Sequence, residues 1–178
     1  MPLTPAAHDV QPFPFAGKPL ECRTMAVIAL RWFKAALVLQ VLLLAYWLTT
    51  EVVDLFPWND LTSRPADYNL RLSIAVNALQ LLAYVGLFAL GVRPLATFSA
   101  LGYALFLGLQ LWIWWKPYVM GANAEWQVRY AQAFAKTLKL LPTSGAHLAP
   151  DANHLTLTLL TLLTLLVTAM AVSRMQYL

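Results

Sequence analysis

The chain has 178 residues, of which 60% are hydrophobic and only 11% are charged, and its formal net charge is +4. A soluble domain carries roughly 25% charged residues, so this composition excludes an ordinary soluble fold. The Lys and Arg residues are scattered singly, which argues against nucleic acid as a partner and favours charges that flank membrane helices.

Residues 1–23 are predicted to form a proline-rich tail. Its first 20 residues hold five prolines and lack the apolar stretch of a signal peptide, so we expect the tail to stay attached and poorly ordered. Cys22 is the only cysteine, which excludes an intrachain disulfide.

Residues 24–178 are predicted to form one all-α integral membrane domain, a bundle of four transmembrane helices. The spans are expected at about 25–50, 72–92, 95–115 and 155–173, long enough to cross a hydrocarbon core of roughly 30 Å. The last span is the clearest, because it carries no charged residue. The second and third spans are joined by a very short turn, so they must be antiparallel neighbours.

An amphipathic helix is predicted at about 123–141, in the long loop between the third and fourth spans. Apolar side chains recur there at steps of three or four residues, and basic side chains share the opposite face. We expect this helix to lie in the membrane interface or to cap the bundle, with its aromatic residues as anchors and its basic residues facing headgroups or a partner. The residues of this predicted loop surface are Glu125, Trp126, Arg129, Tyr130, Phe134, Lys136 and Lys139.

The distribution of basic residues predicts that both termini lie in the cytoplasm. Each side of the membrane receives six Lys or Arg residues. Most of those on the terminal side abut helix ends or short connections, where the positive-inside rule applies, whereas several on the other side lie deep in a long loop.

Polar side chains form a seam within the predicted spans. The second span carries four of them at steps of four, three and four residues, which places them on one helix face. Two interpretations stay open: a path for a small polar solute, or hydrogen bonds between packed helices. No ionisable residue lies near the middle of a span, which argues against a proton or ion pathway. The seam residues are Gln40, Ser73, Asn77, Gln80, Tyr84 and Gln110.

A weaker candidate is a metal site formed by Glu51, Asp54 and His154 at the long-loop end of the bundle. Carboxylates and imidazoles can bind a divalent metal or transfer protons. No metal-binding motif is present, however, and Asp151 and His154 can equally serve to cap the last helix. We expect no cofactor; haem in particular is not expected, because no histidine lies within a predicted span to ligate it.

From Trp114 the chain reads WWKPY, and a characteristic set of residues follows before the last apolar helix. These are Glu125, Tyr130, Phe134, Thr137, Leu141, Pro142, Pro150, Asn153 and His154. The pattern resembles an uncharacterised family of small bacterial four-helix membrane proteins. This resemblance implies a bacterial membrane location and a four-helix layout, but no activity.

The first expectation for function is a non-enzymatic accessory or scaffolding protein of the bacterial inner membrane that engages lipids, other membrane helices or a second copy of itself. A row of small residues on the third span, Ala100, Ala104 and Gly108, would allow another helix to approach closely. The second expectation is binding or transport of a small polar or amphiphilic molecule through the seam. The third is a metal-dependent membrane enzyme.

Overall fold

The computed structural model describes residues 19–66 and 68–177, and within that part of the chain no β-strand occurs. Four of its helices are long and apolar enough to cross a membrane, which agrees with the predicted four-helix membrane bundle. These spans cover Arg23–Val52, Leu70–Ala89, Arg93–Met120 and Ala152–Arg174. The shortest has 20 residues, which at 1.5 Å per residue gives about 30 Å, the thickness of the hydrocarbon core.

The α-helices follow one another along the chain, with one π-helical turn and one 3₁₀ turn among the described residues. They are α1 (Pro19–Val52), α2 (Leu70–Ala89), α3 (Arg93–Gln110), a π-helical turn (Leu111–Trp115), α4 (Lys116–Met120), α5 (Ala124–Ala133), α6 (Ala152–Arg174) and a final 3₁₀ turn (Met175–Tyr177). The predicted tail lies outside the described residues up to residue 18, and its last residues, from Pro19, already belong to α1.

Three of these helices are capped at their N-terminus by the side chain of a short polar residue. The side-chain oxygens of Asn69, Asn123 and Asp151 accept a hydrogen bond from a backbone N–H in the first turn of α2, α5 and α6 respectively. Between α2 and α3, Gly91 adopts a φ of +68°, which favours glycine, and Pro94 lies in the first turn of α3.

The helices alternate in direction. One apolar cluster joins the early part of α1 and the start of α3 to the ends of α2 and α6. Its buried members are Ala36, Phe88, Ala96, Ala171 and Met175. A second cluster, which includes Trp47, Phe106 and Leu157, joins the later parts of α1 and α3 to the first turns of α6. The start of α1 and the end of α6 therefore lie at one end of the bundle, and the two longer loops lie at the other end, which we call the mouth.

The predicted helix at 123–141 is wrong in its second half, because α5 ends at Ala133. Phe134 leaves the helical conformation, with φ −126° and ψ 3°. Beyond it, Leu138 bonds to two distant segments: its N–H donates to the Pro57 carbonyl at 2.7 Å, and its carbonyl accepts from the Ala152 N–H at 2.8 Å. The backbone that was predicted to continue the helix instead forms hydrogen bonds that hold the loop across the mouth.

Candidate functional site

A cleft of about 210 Å³ opens at the mouth of the bundle. The end of α1, the loop that follows it, the π-helical turn, the end of α5 and the start of α6 all contribute to its walls. We call this cavity the mouth cleft. The side chains that give it its chemical character are Glu51, Arg64, Tyr68, Trp114, Phe134 and His154.

Asp151 and His154 form a hydrogen-bonded pair on one wall of the cleft. Asp151 is only 1% exposed, and its Oδ1 accepts from the backbone N–H of His154 at 2.9 Å and lies 2.7 Å from Nδ1 of the same residue. Burial by itself raises the pKa of Asp151, but the hydrogen bonds from His154 and from the Thr137 hydroxyl outweigh it, so that this pKa lies below its ordinary value. Asp151 is therefore a carboxylate at neutral pH.

Aromatic rings hold the imidazole of His154 in place. The Trp114 indole stacks on it with ring centroids 3.5 Å apart, and the Phe134 ring meets it edge-on at 5.5 Å. Trp114 and Phe134 also contact each other, at 5.0 Å between centroids. The imidazole is thus fixed by two rings and by a carboxylate at Nδ1. Its other nitrogen, Nε2, has no hydrogen-bond partner among residues 19–66 and 68–177.

The π-helical turn explains why two consecutive tryptophans both reach α6. Successive side chains of an α-helix point about 100° apart, whereas a π-turn shifts the register of the residues around it. Trp114 stacks on His154, and the Nε1–H of Trp115 donates to the Thr158 hydroxyl at 3.3 Å. The π-helical turn in the third span therefore places Trp114 in the wall of the cleft.

An ion pair lies on a different wall of the cleft. Nη2 of Arg64 is 3.3 Å from the Glu51 carboxylate and donates to the Glu51 carbonyl at 2.8 Å. The Tyr68 hydroxyl donates to the same carboxylate, and the Arg64 guanidinium lies 4.8 Å from the centre of the Tyr68 ring. Burial, and then the hydrogen bond to Glu51, raise the pKa of Tyr68, so its hydroxyl stays a donor.

Asp60 adds a further carboxylate to the lining. The hydroxyls of Ser63 and Thr62 each donate to it at 2.6 Å and lower its pKa to about 2. Among the described lining residues, Asp60, Glu51 and Asp151 outnumber the guanidinium of Arg64 and give the cleft an excess of acidic side chains.

A chain of polar contacts that the sequence did not reveal ties the loop after α1 to the bundle. The indole N–H of Trp58 donates to the Tyr46 hydroxyl at 2.9 Å, and that hydroxyl donates to Asn153 Oδ1 at 2.9 Å. Asn59 is 5% exposed, and its Nδ2 donates to the Thr50 carbonyl at 2.6 Å. The loop after α1 is therefore bonded to the end of α1, and α1 is bonded in turn to the start of α6.

In the structure, residues of the predicted seam form separate hydrogen bonds, some between helices and some within α2. Nε2 of Gln40 donates to Thr168 at 3.0 Å, and Nε2 of Gln110 donates to Thr161 at 2.9 Å, so both glutamines bind α6. The members on α2 bond within their own helix: Asn77 donates to the Ser73 carbonyl at 3.0 Å, and Gln80 donates to the Tyr84 hydroxyl at 2.8 Å. This arrangement favours the packing interpretation of the seam.

More residues of the predicted loop surface pack against the bundle than the sequence led us to expect. The Glu125–Arg129 pair forms at 3.2 Å in an exposed position, and Lys136 is exposed as well. Tyr130, however, is 7% exposed and donates to the Ala149 carbonyl at 2.6 Å.

Three other residues of that surface also contact this chain itself. Trp126 lies 5.4 Å from Trp114 between ring centroids, and Phe134 lines the cleft. The Lys139 ammonium donates to the carbonyls of Phe134 and Thr137. The aromatic residues pack on the bundle because their apolar rings cover the end of the third span.

The structure does not assemble the predicted metal site. Glu51 and His154 both line the mouth cleft, but Asp54 does not, and its Oδ1 accepts from the Leu61 N–H at 3.4 Å. Across the described ranges 19–66 and 68–177, no three His, Cys, Asp or Glu side chains are placed to hold a metal ion. The reason is that Glu51 is bonded to Arg64 and Tyr68, while His154 is bonded to Asp151.

When the chain was compared with known proteins, no family model, no curated protein and no solved structure matched it.

Proposed function

We propose that this protein binds a small polar or amphiphilic molecule in the mouth cleft. The observation that carries the proposal is the imidazole of His154, which is held by Asp151 and Trp114 while Nε2 has no partner in the described chain. A cavity with aromatic walls and a few convergent polar groups is the usual form of a ligand site. This proposal moves the predicted binding role from the seam to the mouth.

The dimensions of the cleft restrict its ligand. A volume of about 210 Å³ is small beside the roughly 300–1,000 Å³ of common ligand pockets, so the ligand, or the part of it that enters, is small. Paired ionised groups in the lining supply donors and acceptors, and the rings of Trp114 and Phe134 supply an apolar surface.

We further propose that the protein lies in a bacterial inner membrane with both termini in the cytoplasm. Support comes from the resemblance of the C-terminal third and from the basic residues Arg23, Arg93 and Arg174, which lie at the ends of spans on the terminal side. In this orientation the mouth cleft opens on the outer face of that membrane.

A plugged variant tests the binding function. We suggest titrating a panel of small fluorinated ring compounds into the protein in lipid nanodiscs, followed by ¹⁹F NMR, with empty nanodiscs as the reference for partitioning. Leu61, a half-buried lining residue, is replaced by Trp to fill the cleft; Leu55→Trp, at an exposed position of the same loop outside the lining, is the matched control.

We expect saturable binding of at least one compound to the wild type and to Leu55→Trp, and its loss in Leu61→Trp. The absence of saturable binding in the wild type, or binding that is unchanged when the cleft is plugged, would overturn the proposal.

A second candidate function is docking of another membrane helix on α3. Ala104 and Gly108 are exposed, and a Cβ built at Gly108 would meet no atom within 4 Å. Gly108→Leu is expected to reduce self-association or co-purification of a partner in mild detergent. Gly86→Leu on α2, where the space is equally open, is the control; equal effects of the two variants would contradict this candidate.

A further inference from the structure

We propose that the ligand of the mouth cleft is a hydroxylated aromatic ring, a phenol or hydroquinone, whose hydroxyl donates a hydrogen bond to Nε2 of His154. This inference rests on the proposed binding function and specifies the chemistry of its ligand.

The tautomer of His154 follows from its partner. The Asp151 carboxylate accepts hydrogen bonds only, so Nδ1, at 2.7 Å from it, carries a proton. In the neutral imidazole the remaining nitrogen, Nε2, is then an acceptor with a free lone pair. A ligand that pairs with this nitrogen must offer an O–H or N–H donor.

The charges of the lining select against anions. Glu51, Asp60 and Asp151 are carboxylates, and the guanidinium of Arg64 is already bonded to Glu51. A carboxylate or phosphate would therefore meet excess negative charge, and the described lining offers no Lys or Arg free to neutralise it. A neutral donor is the better fit.

The walls of the cleft favour a planar ring. The rings of Trp114, Phe134 and Tyr68 all belong to the lining, and aromatic pairs gain about 0.5–1.5 kcal/mol beyond the area that they bury. A cavity of about 210 Å³ admits one such ring. A hydroxylated aromatic ring thus offers a donor to Nε2 of His154, carries no negative charge and matches the aromatic walls.

Three fluorinated probes distinguish the ligand classes: 4-fluorophenol offers a hydroxyl, 4-fluoroanisole has a similar ring but no donor, and 4-fluorobenzylamine carries a positive charge. Each is titrated by ¹⁹F NMR into the protein in nanodiscs and corrected for partitioning into empty nanodiscs. We expect the phenol to bind about tenfold more tightly than the anisole, because the anisole leaves Nε2 without a partner.

Replacement of His154 by Phe keeps a ring against Trp114 and removes the acceptor, so the preference for phenol over anisole is expected to disappear. The control His147→Phe, at an exposed position outside the cleft, is expected to keep it.

Equal binding of phenol and anisole by the wild type would overturn this inference and leave the binding site standing, and a preference for the amine would replace the phenol site by a cation site. Failure of every ring compound, in this set and in the panel above, would overturn the binding function itself.

Discussion

The imidazole of His154 and the indole of Trp114 are stacked, with centroids 3.5 Å apart and planes inclined by 29°. The two residues come from α6 and from the π-helical turn after α3, so the stack joins the third and fourth spans at the mouth. Because Asp151 bonds Nδ1 in the same ring, the orientation of the imidazole is set from two directions. A side chain fixed in this way is suited to present its free nitrogen to a ligand.

The cap of α6 makes a separable contribution to stability. Asp151→Ala removes the side chain that accepts from the His154 N–H, and the loss of such a cap costs about 1 kcal/mol, up to about 2 kcal/mol. Asp151→Asn keeps an equally good capping residue and loses only the charge beside His154. We therefore expect unfolding in detergent to show a larger loss for Ala than for Asn; equal losses would mean that capping contributes little.

The charge of Asp151 predicts a pH dependence. Its pKa is lowered in the folded protein relative to about 3.9 in an unfolded chain, so the carboxylate contributes stability above that pH. This contribution is lost as the pH falls through the folded pKa. The stability difference between the wild type and Asp151→Asn should therefore shrink as the pH falls below about 4. A difference that grew as the pH fell below about 4 would contradict the lowered pKa.

Gly102 is required for the contact between α2 and α3. A Cβ built there would overlap the Tyr84 ring, whereas one built at Gly108 of the same helix meets nothing within 4 Å. We expect Gly102→Ala to destabilise the protein by about 1–3 kcal/mol, because the tyrosine must shift. Gly108→Ala should be neutral or slightly stabilising. Thermal unfolding of both variants in one detergent checks this prediction, and equal behaviour would contradict the packing at Gly102.

The bond between Gln40 and Thr168 tests the packing interpretation of the seam. A double-mutant cycle with Gln40→Leu and Thr168→Val should give a coupling of about 0.6 kcal/mol, at most about 1.7 kcal/mol. Gln40→Leu alone should cost little, because Oε1 of Gln40 is buried without a partner in the described chain. Loss of probe binding in Gln40→Leu, without unfolding, would show instead that the seam is part of a ligand path.

The four spans could be predicted from the sequence, because an apolar run of sufficient length has no other stable environment than lipid. The predicted helix at 123–141 was correct only up to Ala133. Periodicity reports which residues can share a helix face, but the backbone bonds of Leu138 to Pro57 and Ala152 decide where the helix ends. Those partners are distant in sequence and leave no local signal.

The cleft could be predicted in part. Alternation of the spans places Glu51 and His154 at the same end of the bundle, and the structure brings both into one cavity. The hydrogen bonding of Glu51 and His154 depends on their partners Arg64 and Asp151. Arg64 is positioned by the fold of the loop after α1. The Trp114–His154 stack depends on a π-helical turn, for which the sequence shows no periodic signal.

The central claim, that Nε2 of His154 receives the ligand, is tested most directly by ¹⁵N NMR of the protein labelled at histidine, in nanodiscs, with and without 4-fluorophenol. The chain has 3 histidines, so His154→Phe suffices to assign the signals of this imidazole. We predict that 4-fluorophenol shifts the Nε2 resonance of His154 while its Nδ1 resonance stays that of a protonated nitrogen bonded to Asp151. An unchanged Nε2 resonance at saturating 4-fluorophenol would contradict the account.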